Sequence, residues 1–335
     1  MAAAGRRSMC ISLIQEARRL GASDLHLTAG GAPVVRLAGC LKPLAKPPLA
    51  AAQLAEFVAQ LPDYTRQQLE RRGEVDCAWS WGSERYRLNI YRQKEQYAMA
   101  IRLLNSAVPE CEALGLPPAL QAVTELRQGL VLIVGPTGSG KTTTLAALVQ
   151  RINATKSMHI VTLEDPIEYE YPAGKSLIHQ REIGRDTTSF ARGLRAALRE
   201  DPDVILVGEL RDSETMSIAL SAAETGHLVL ATLHTQDVTT SVNRILDGLQ
   251  QNQQLVRSQL AESLAVVASQ RLLARADGRG RVAAFEVLIA TDAVRHLIRE
   301  GQTHQLQSYL QTGARNGMVT MSDSIKNLRK EGIIK

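Results

Sequence analysis

A glycine-rich turn followed by a lysine and three threonines is the first feature of the sequence that could do chemistry. The letters GPTGSGKT occupy residues 135–142, between the apolar run LVLIV and an apolar helical segment. They match the pattern G-x-x-x-x-G-K-[ST], whose glycines let successive backbone N–H groups approach phosphate oxygens. The amino end of the following helix adds about half a positive charge. This turn therefore predicts a binding site for nucleotide phosphates.

Each residue of the turn has an expected part in that binding. Lys141 is expected to reach the β- and γ-phosphates of ATP, and the Thr142 hydroxyl to ligate Mg²⁺. The other residues expected to contact the nucleotide are Gly135, Pro136, Thr137, Gly138, Ser139, Gly140 and Thr143. The alternative is a glycine-rich turn that only caps a helix.

Acidic residues follow two further apolar runs. Glu164 and Asp165 come directly after HIVTL, and Glu209 comes after DVILVG. If these runs are parallel strands, their carboxyl ends lie at the same sheet edge as the phosphate turn. Hydrolysis needs one carboxylate to orient or deprotonate water and another to hold the hydrated metal. We predict that Glu209 activates water and Glu164 positions water or metal, with helix capping or a surface ion pair as the alternative for each.

The expected metal ligands are unusual for such a site. The aspartate that commonly holds Mg²⁺ after the second strand is absent, because Gly208 occupies its place and Glu209 comes next. The predicted ligands are therefore the Thr142 hydroxyl and the carboxylates of Glu164 and Glu209.

Two histidines bracket the apolar run LVLATL. His227 and His234 would be roughly 23 Å apart on a straight strand, so both cannot contact one phosphate. His234, at the carboxyl end, is predicted to sense the γ-phosphate, and His227 to have a structural or subunit-contact role. Two hydrogen-bonded core histidines are the alternative.

Arginines are grouped in both halves of the chain. Arg192, Arg195 and Arg199 would project within about 60° of one another on one helix face. Their position near the nucleotide edge favours phosphate contacts, and a solvated basic face is the alternative. In the first half, Arg87 and Arg102 lie on two alternating strand-like runs, where they could serve as arginine fingers or as plain surface charge.

The order of the predicted elements indicates two domains. After residue 120, apolar runs alternate with helical segments, which predicts an α/β domain with a parallel sheet covered on both faces. Before residue 107, helical and alternating segments predict a small α+β domain. Pro117 and Pro118 interrupt regular structure at the junction. The predicted limits are 1–106 for the first domain, 107–120 for a linker and 121–335 for the ATPase domain.

Composition excludes several classes of protein. No run of about 18 apolar residues is present, and the amino-terminal stretch has no secretory signal, so a cytoplasmic chain is expected. The four cysteines form no CxxC pair, which predicts reduced thiols and no zinc site. A formal charge of +5 and 4% aromatic residues give no support to nucleic-acid binding.

Several motifs together resemble the bacterial secretion and pilus ATPases, and within them the PilT-type retraction ATPases of type IV pili. They are ASDLHLTAGGAPVVRLAG, GPTGSGKTTTLAAL, VTLEDPIEYEY, ALREDPDVILVGELRD, ETGHLVLATLHT and AVRHLIREG. The last is similar to a segment of the retraction subgroup. The absence of a four-cysteine zinc insert also favours retraction over extension.

The resemblance implies a PAS-like first domain, a RecA-like second domain and a homohexamer that hydrolyses ATP with Mg²⁺ between subunits. It implies that Lys141, Thr142, Glu164, Glu209, His227 and His234 are functional and that Arg87 and Arg102 reach the nucleotide. It also implies a motor that is held at the inner membrane by a platform protein. The alternatives are an extension ATPase, a nucleic-acid translocase, a nucleotide-switched scaffold and a small-molecule kinase.

Overall fold

The chain folds as two units, each built around a sheet of its own. A computed structural model describes residues 8–37, 39–82, 84–104, 107–249 and 252–335. Unit 1 comprises the described residues as far as Ala107 together with Pro166–Glu170, and unit 2 comprises those of Val108–Asp165 and Tyr171–Lys335. The stretch directly after the predicted acidic site thus belongs with unit 1, which the predicted domain limits did not include.

Unit 1 contains an antiparallel sheet and helices. Its elements are α1 (Met9–Arg19), β1 (Asp24–Thr28), β2 (Val34–Leu37), β3 (Cys40–Pro43), α2 (Ala51–Ala59), α3 (Asp63–Arg72), β4 (Glu74–Trp81), β5 (Glu84–Gln93) and β6 (Gln96–Leu103). The strand order is β3-β2-β1-β6-β5-β4, and every neighbouring pair is antiparallel. This is an α+β arrangement, and its PAS-like character stays a prediction.

The core of unit 1 follows from the spacing of its apolar residues. On α1, Ile11 and Ile14 are buried on one helix face. On β5, Tyr86, Leu88 and Ile90 are buried at every second position, as expected for a strand with one face on a core. These side chains belong to one hydrophobic cluster. The alternating positions of β5 are therefore left for polar side chains.

Unit 2 is built on a mixed sheet with helices on both faces. Its elements are α4 (Pro118–Gln121), β7 (Gly129–Val134), α5 (Lys141–Thr155), β8 (His159–Glu164), β9 (Leu177–Glu182), α6 (Phe190–Ala197), β10 (Val204–Val207), α7 (Ser213–Glu224), β11 (Leu228–Leu233), α8 (Val238–Gly248), α9 (Gln253–Ser263), β12 (Leu264–Ala274), β13 (Arg281–Ile289), α10 (Asp292–Arg299), α11 (Leu306–Thr312) and α12 (Met321–Lys330). The strand order is β13-β12-β7-β11-β10-β8-β9, parallel except for the antiparallel pair of β12 and β13.

Strand β7 shows why the central runs are apolar throughout. Leu130 and Leu132 pack into the cluster that contains residues of α7 and α8, whereas Val131 and Ile133 pack into the cluster that contains residues of α5. A strand covered on both faces needs apolar side chains at every position, not at every second one. The predicted α/β fold with a covered parallel sheet is confirmed.

Two local predictions differ from the structure. Residues 107–120 were expected to be a linker. Within them, Cys111, Leu116 and Leu120 are buried in the core cluster that contains residues of α5, because burying apolar side chains is favourable. The helix expected to carry Arg199 ends at Ala197, so the 60° spacing does not extend to Arg199.

The four cysteines are free thiols. Within the described residues, no helix combines the length and apolar character that a membrane span needs.

Candidate nucleotide site

The phosphate loop, residues 135–140, connects β7 to α5 and packs closely on β12. Gly135 has a φ of 146°, and a Cβ atom there would lie 2.5 Å from the carbonyl oxygen of Gln270. Gly140 has a φ of 90°, and its Cβ would lie 2.8 Å from Gln270 Nε2. Other residues rarely adopt such torsions. Glycine is therefore required here both for the turn and for the approach of β12.

Lys141 is held inside this loop. The residue is 7% exposed, and Nζ donates to the carbonyl oxygens of Gly135 at 2.8 Å and Pro136 at 3.0 Å. Burial lowers the pKa of the Lys141 ammonium, and the nearby Glu209 carboxylate opposes that shift. A partly desolvated cation thus faces the loop, where an anion would be attracted strongly.

The remaining loop side chains have different degrees of exposure. Pro136, Thr137 and Thr142 are exposed, whereas Ser139 is 3% exposed. The Ser139 hydroxyl is buried and makes no hydrogen bond to any residue that the structure describes. Buried polar atoms are normally satisfied, so this hydroxyl indicates a loop built to receive a polar group.

Glu209 lies between Arg211 and His234 just after β10. Its Oε1 atom is 2.5 Å from Arg211 Nη2, and its Oε2 atom is 3.4 Å from His234 Nε2. The Glu209 side chain is 13% exposed, whereas that of His234 is 50% exposed. Since β10, β11 and β7 are neighbours, Glu209, His234 and the phosphate loop follow three adjacent parallel strands.

Glu164 occupies the end of β8 in a more enclosed setting. It is 7% exposed, and its Oε1 atom accepts hydrogen bonds from Thr162 Oγ1 at 2.7 Å and Gln180 Nε2 at 3.1 Å. Thr162 lies two residues earlier on the same strand, and Gln180 lies on the neighbouring β9. These two donors orient the Glu164 carboxylate at the same sheet edge as Glu209.

His227 lies at the other end of β11. Its Nδ1 atom is 3.0 Å from the carbonyl oxygen of Ala222 in α7. The structure therefore separates the two histidines by the length of the strand, as the spacing predicted, and brings only His234 to Glu209.

The arginines predicted to contact nucleotide from unit 1 are paired with carboxylates of that unit. Arg87 and Arg102 lie opposite each other on β5 and β6. Arg87 Nη2 is 2.6 Å from Asp76 Oδ2 and Arg87 Nη1 is 3.7 Å from Glu168 Oε1, while Arg102 Nε is 3.0 Å from Asp24 Oδ1. Burial raises the pKa of the Glu168 carboxyl, although Arg87 and Arg102 oppose the shift.

Two arginines of unit 2 lie on or just after α6. Arg195 Nη2 is 2.6 Å from Glu214 Oε1, and Arg199 is exposed in the turn that follows the helix. Arg195 is therefore paired with a carboxylate of α7, and the contacts of Arg195 and Arg199 with nucleotide stay predictions.

The amino-acid sequence from residue 6 to residue 333 matches the family described as type II/IV secretion system proteins. This chain belongs to that family. The type IV pilus retractation ATPase PilT of Pseudomonas aeruginosa is 44% identical over 325 residues, which are 96% of this chain and 94% of the relative. A twitching motility protein of Neisseria gonorrhoeae is 46% identical over 305 residues, covering 90% and 82% respectively.

A solved structure agrees with these relatives. The crystal structure of the pilus retraction motor PilT with bound ADP superimposes with a TM-score of 0.89 at 45% identity, covering 98% of this chain and 95% of that one. The predicted resemblance to the secretion and pilus ATPases is confirmed, as is the predicted enzyme class, a P-loop ATPase. This secretion-system ATPase carries a nucleotide-binding fold, and the roles of its individual site residues stay predictions.

Several residues at the site of this secretion-system ATPase were missed by sequence reasoning. They are Thr162, Gln180, Arg211 and Gln270. Thr162 could have been found, since positions two apart on a strand share a face. Gln180 and Gln270 could not, because they lie on β9 and β12, which no motif predicted.

Proposed function

We propose that this chain hydrolyses ATP with Mg²⁺ and that the cycle drives retraction of a type IV pilus. The proposal is carried by one observation: Lys141, Glu209 and His234 lie near one another just after the carboxyl ends of three adjacent parallel strands. A binding loop alone would need only the lysine. A carboxylate with a cationic side chain beside it supports hydrolysis as well as binding.

The phosphate loop supplies the binding energy. Backbone N–H groups of residues 135–140 and the amino end of α5 are proposed to hold the phosphates, with the Lys141 ammonium leaving its loop carbonyls to contact the β- and γ-phosphates. The loss of those two hydrogen bonds is offset by the stronger attraction between the partly buried cation and a polyanion.

Mg²⁺ fits the donors at this edge, which are oxygen atoms of the kind it prefers. The proposed ligands are the Thr142 hydroxyl and the Glu209 and Glu164 carboxylates, the last oriented by its two hydrogen bonds. Bound there, Mg²⁺ would neutralise charge on the phosphates. The buried Ser139 hydroxyl has no hydrogen-bond partner among the described residues, and we propose that it donates to a phosphate oxygen.

Glu209 is proposed to orient the attacking water and to accept its proton. The Arg211 guanidinium holds Oε1, which leaves Oε2 to act as the base. His234, next to Oε2, is proposed to register the γ-phosphate. A change at the phosphate would therefore alter the position of the base directly.

The retraction role is supported by the relatives, whose names describe retraction and twitching motility. We propose that the chain works as a homohexamer on an inner-membrane platform protein, from the cytoplasmic side. In the assembled ring, the arginines proposed to bind nucleotide are Arg87, Arg102, Arg195 and Arg199. His227 is proposed to act at a subunit contact or in the structure of β11.

Phosphate release by the purified chain tests the enzymatic part. We expect ATP hydrolysis that requires Mg²⁺, and a decrease in kcat of about 10²–10³-fold in Glu209→Gln with ADP affinity retained. Glu200→Gln, which removes the carboxylate paired with Arg181, is the matched control and should stay near wild type. Equal turnover in Glu209→Gln and wild type would remove Glu209 from its role.

Complementation tests the cellular part. The gene should restore pilus retraction in a bacterium that extends pili but lacks its own retraction ATPase, and the Glu209→Gln variant should not. Restored pilus extension in place of retraction would favour the assembly ATPase. Turnover that rises with added DNA would favour a translocase, and particle size measured with and without ATP tests the ring.

A further inference from the structure

Gln270 is a buried amide that contacts the phosphate loop from a neighbouring strand. It is 2% exposed, and its Oε1 atom accepts a hydrogen bond from Thr144 Oγ1 at 2.8 Å. Thr144 is 1% exposed and lies in the first turn of α5, where its N–H donates to the Gly140 carbonyl. One side chain of β12 therefore binds the helix turn that directly follows the loop.

The main chain at Gln270 supports the loop as well. Strand β12 pairs with β7 in parallel as far as Ser269 opposite Val134, and it continues to Ala274. Gln270 is thus the first residue beyond the end of β7, beside Gly135. Its carbonyl oxygen would be 2.5 Å from a Cβ at Gly135, and its Nε2 atom 2.8 Å from one at Gly140. Both ends of the loop contact this single residue.

Ser269 makes a related contact on the opposite face of β12. Its buried hydroxyl donates to the carbonyl oxygen of Gln236 at 2.8 Å, in the segment that follows His234. Adjacent residues of a strand point to opposite faces, which is why neighbours in sequence reach two different loops. The pair of residues 269 and 270 therefore contacts both the phosphate loop and the segment after β11.

We propose that Gln270 is a positioning residue for nucleotide binding in this chain, an inference that rests on the proposed function. By holding both ends of the loop and the first turn of α5, it keeps Lys141 and Thr142 in the arrangement that binds phosphate. Ser269 has the corresponding effect on the segment that carries His234. Neither residue touches the reacting atoms.

Loss of the Gln270 amide should weaken nucleotide binding more than it slows chemistry. The loop contacts the phosphates before and during the reaction, so a looser loop affects the bound state and the transition state alike. We expect Gln270→Leu to raise the Kd for ADP with Mg²⁺ and the KM for ATP by about tenfold, with kcat changed less than about threefold.

Thr144 gives an independent way to break the same hydrogen bond. Thr144→Val removes the hydroxyl but keeps the shape, and we expect the same rise in Kd, whereas Thr144→Ser should bind ADP as the wild type does. The double variant Gln270→Leu with Thr144→Val should raise the Kd by less than the product of the two single effects, because both substitutions break the same Thr144–Gln270 hydrogen bond. If Gln270→Leu does not fold, the Val and Ser variants of Thr144 decide the matter alone.

Asn153 provides a matched control for a buried amide on the same helix. It lies nine residues after Thr144, about 14 Å along α5, is 1% exposed and donates to the Pro172 carbonyl. Asn153→Leu should lower the Tm without changing the Kd for ADP. A Gln270→Leu variant with a lowered Tm but wild-type Kd and KM would overturn the proposal, because its role would then be structural.

Calorimetric titration of the full chain with ADP and Mg²⁺ separates the two levels of argument. A wild-type chain that neither binds ADP nor hydrolyses ATP would contradict the proposed function. A wild-type chain that binds ADP, together with a Gln270→Leu variant that binds it equally well, would contradict only this inference. Ser269→Ala should lower kcat with an unchanged Kd, and a raised Kd with normal kcat would refute its assignment.

Discussion

The two ends of the unit 2 sheet carry the same kinds of side chain in different surroundings. At the amino ends of the strands, His227 Nδ1 lies 3.0 Å from the Ala222 carbonyl and His159 Nδ1 lies 3.1 Å from the Asp201 carbonyl. At the carboxyl ends, His234 lies 3.4 Å from a carboxylate instead. At the amino ends both histidines contact main-chain carbonyl oxygens, and His159 Nε2 also lies 3.0 Å from Nδ1 of His179 on β9. At the carboxyl ends the side chain that faces His234 is a carboxylate.

This difference supports the proposal that hydrolysis takes place at the carboxyl ends of the strands. A backbone carbonyl cannot exchange a proton with a histidine, whereas the Glu209 carboxylate can accept one from water. Lys141 adds a buried cation, whose lowered pKa reflects burial opposed by Glu209. Parallel strands bring such groups together at their carboxyl ends, where the loops after neighbouring strands meet.

The two lysines at opposite ends of α5 offer the sharpest test of this contrast. Lys141 begins the helix, whereas Lys156 caps its other end and pairs with Glu125 at 3.0 Å. We expect Lys141→Ala to reduce kcat/KM for ATP by about 10³-fold or more, because the phosphates lose their buried cation. Lys156→Ala should stay within about twofold, and steady-state phosphate release measures both. Similar losses in the two variants would break the comparison.

The histidines at opposite ends of β11 come next in expected size. His234→Ala should lower kcat about tenfold, because His234 contacts the proposed base Glu209. The Tm should change little, because the His234 side chain is half-exposed. His227→Ala should lower the Tm, since it removes a hydrogen bond to the Ala222 carbonyl. Turnover assays and thermal unfolding of both variants give the answer. Wild-type turnover in His234→Ala would leave the two ends equivalent.

Arg211 tests how tightly Glu209 must be held. Its side chain is 64% exposed, and an exposed ion pair contributes about 1 kcal/mol or less. We therefore expect Arg211→Ala to lower kcat by no more than about fivefold and to leave the Kd for ADP unchanged. Arg275→Ala, which removes an exposed arginine paired with Asp277, is the control. A loss as large as that of Glu209→Gln would give Arg211 a direct part in the reaction.

The smallest effect is expected at Glu286, a buried carboxyl that lies opposite Ser269 on β13. Its hydrogen-bond partner is a main-chain N–H group, whereas the side-chain partners of Glu209 are Arg211 and His234. Glu286 accepts a hydrogen bond from the Val238 N–H at 3.1 Å, and burial raises its pKa above the usual range. The folded state then binds the proton more strongly than the unfolded state. The free energy of unfolding therefore falls as pH rises from the unfolded-state pKa through the folded-state pKa.

The Glu286→Gln variant lacks this loss of stability at high pH, because its side chain does not ionise. The Tm of the variant minus that of the wild type should therefore be larger at about pH 8 than at about pH 4, as measured by thermal unfolding in matched buffers. Glu262→Gln, which removes a carboxylate paired with Arg299 at the surface, should show no such trend. A Tm difference that is constant with pH would contradict the raised pKa of Glu286.

Much of this fold could be predicted from local patterns. The runs around 130–134, 159–163, 203–208 and 227–234 are strands because continuous apolar residues are needed where a strand is covered on both faces. Two parts of the sheet were missed: β9 has only two apolar residues, followed by four polar ones, at a sheet edge, and β12 with β13 forms an antiparallel addition beyond the parallel core. In residues 107–120, which were expected to be a linker, prolines, a glycine and glutamates separate the apolar residues, so no helical or strand period marked Cys111, Leu116 and Leu120 as buried.

The sequence by itself determined the phosphate loop, its lysine and the glutamates that follow the strands, because backbone torsion, helix start and strand end are properties of a few consecutive residues. Only the tertiary structure decided what those groups contact. The contact of His234 with Glu209, the pairing of Arg102 with Asp24 and the placement of Gln270 against Gly135 join residues that are far apart in the chain. Such contacts depend on strand order and register, which arise from packing of the whole sheet and leave no local mark in the sequence.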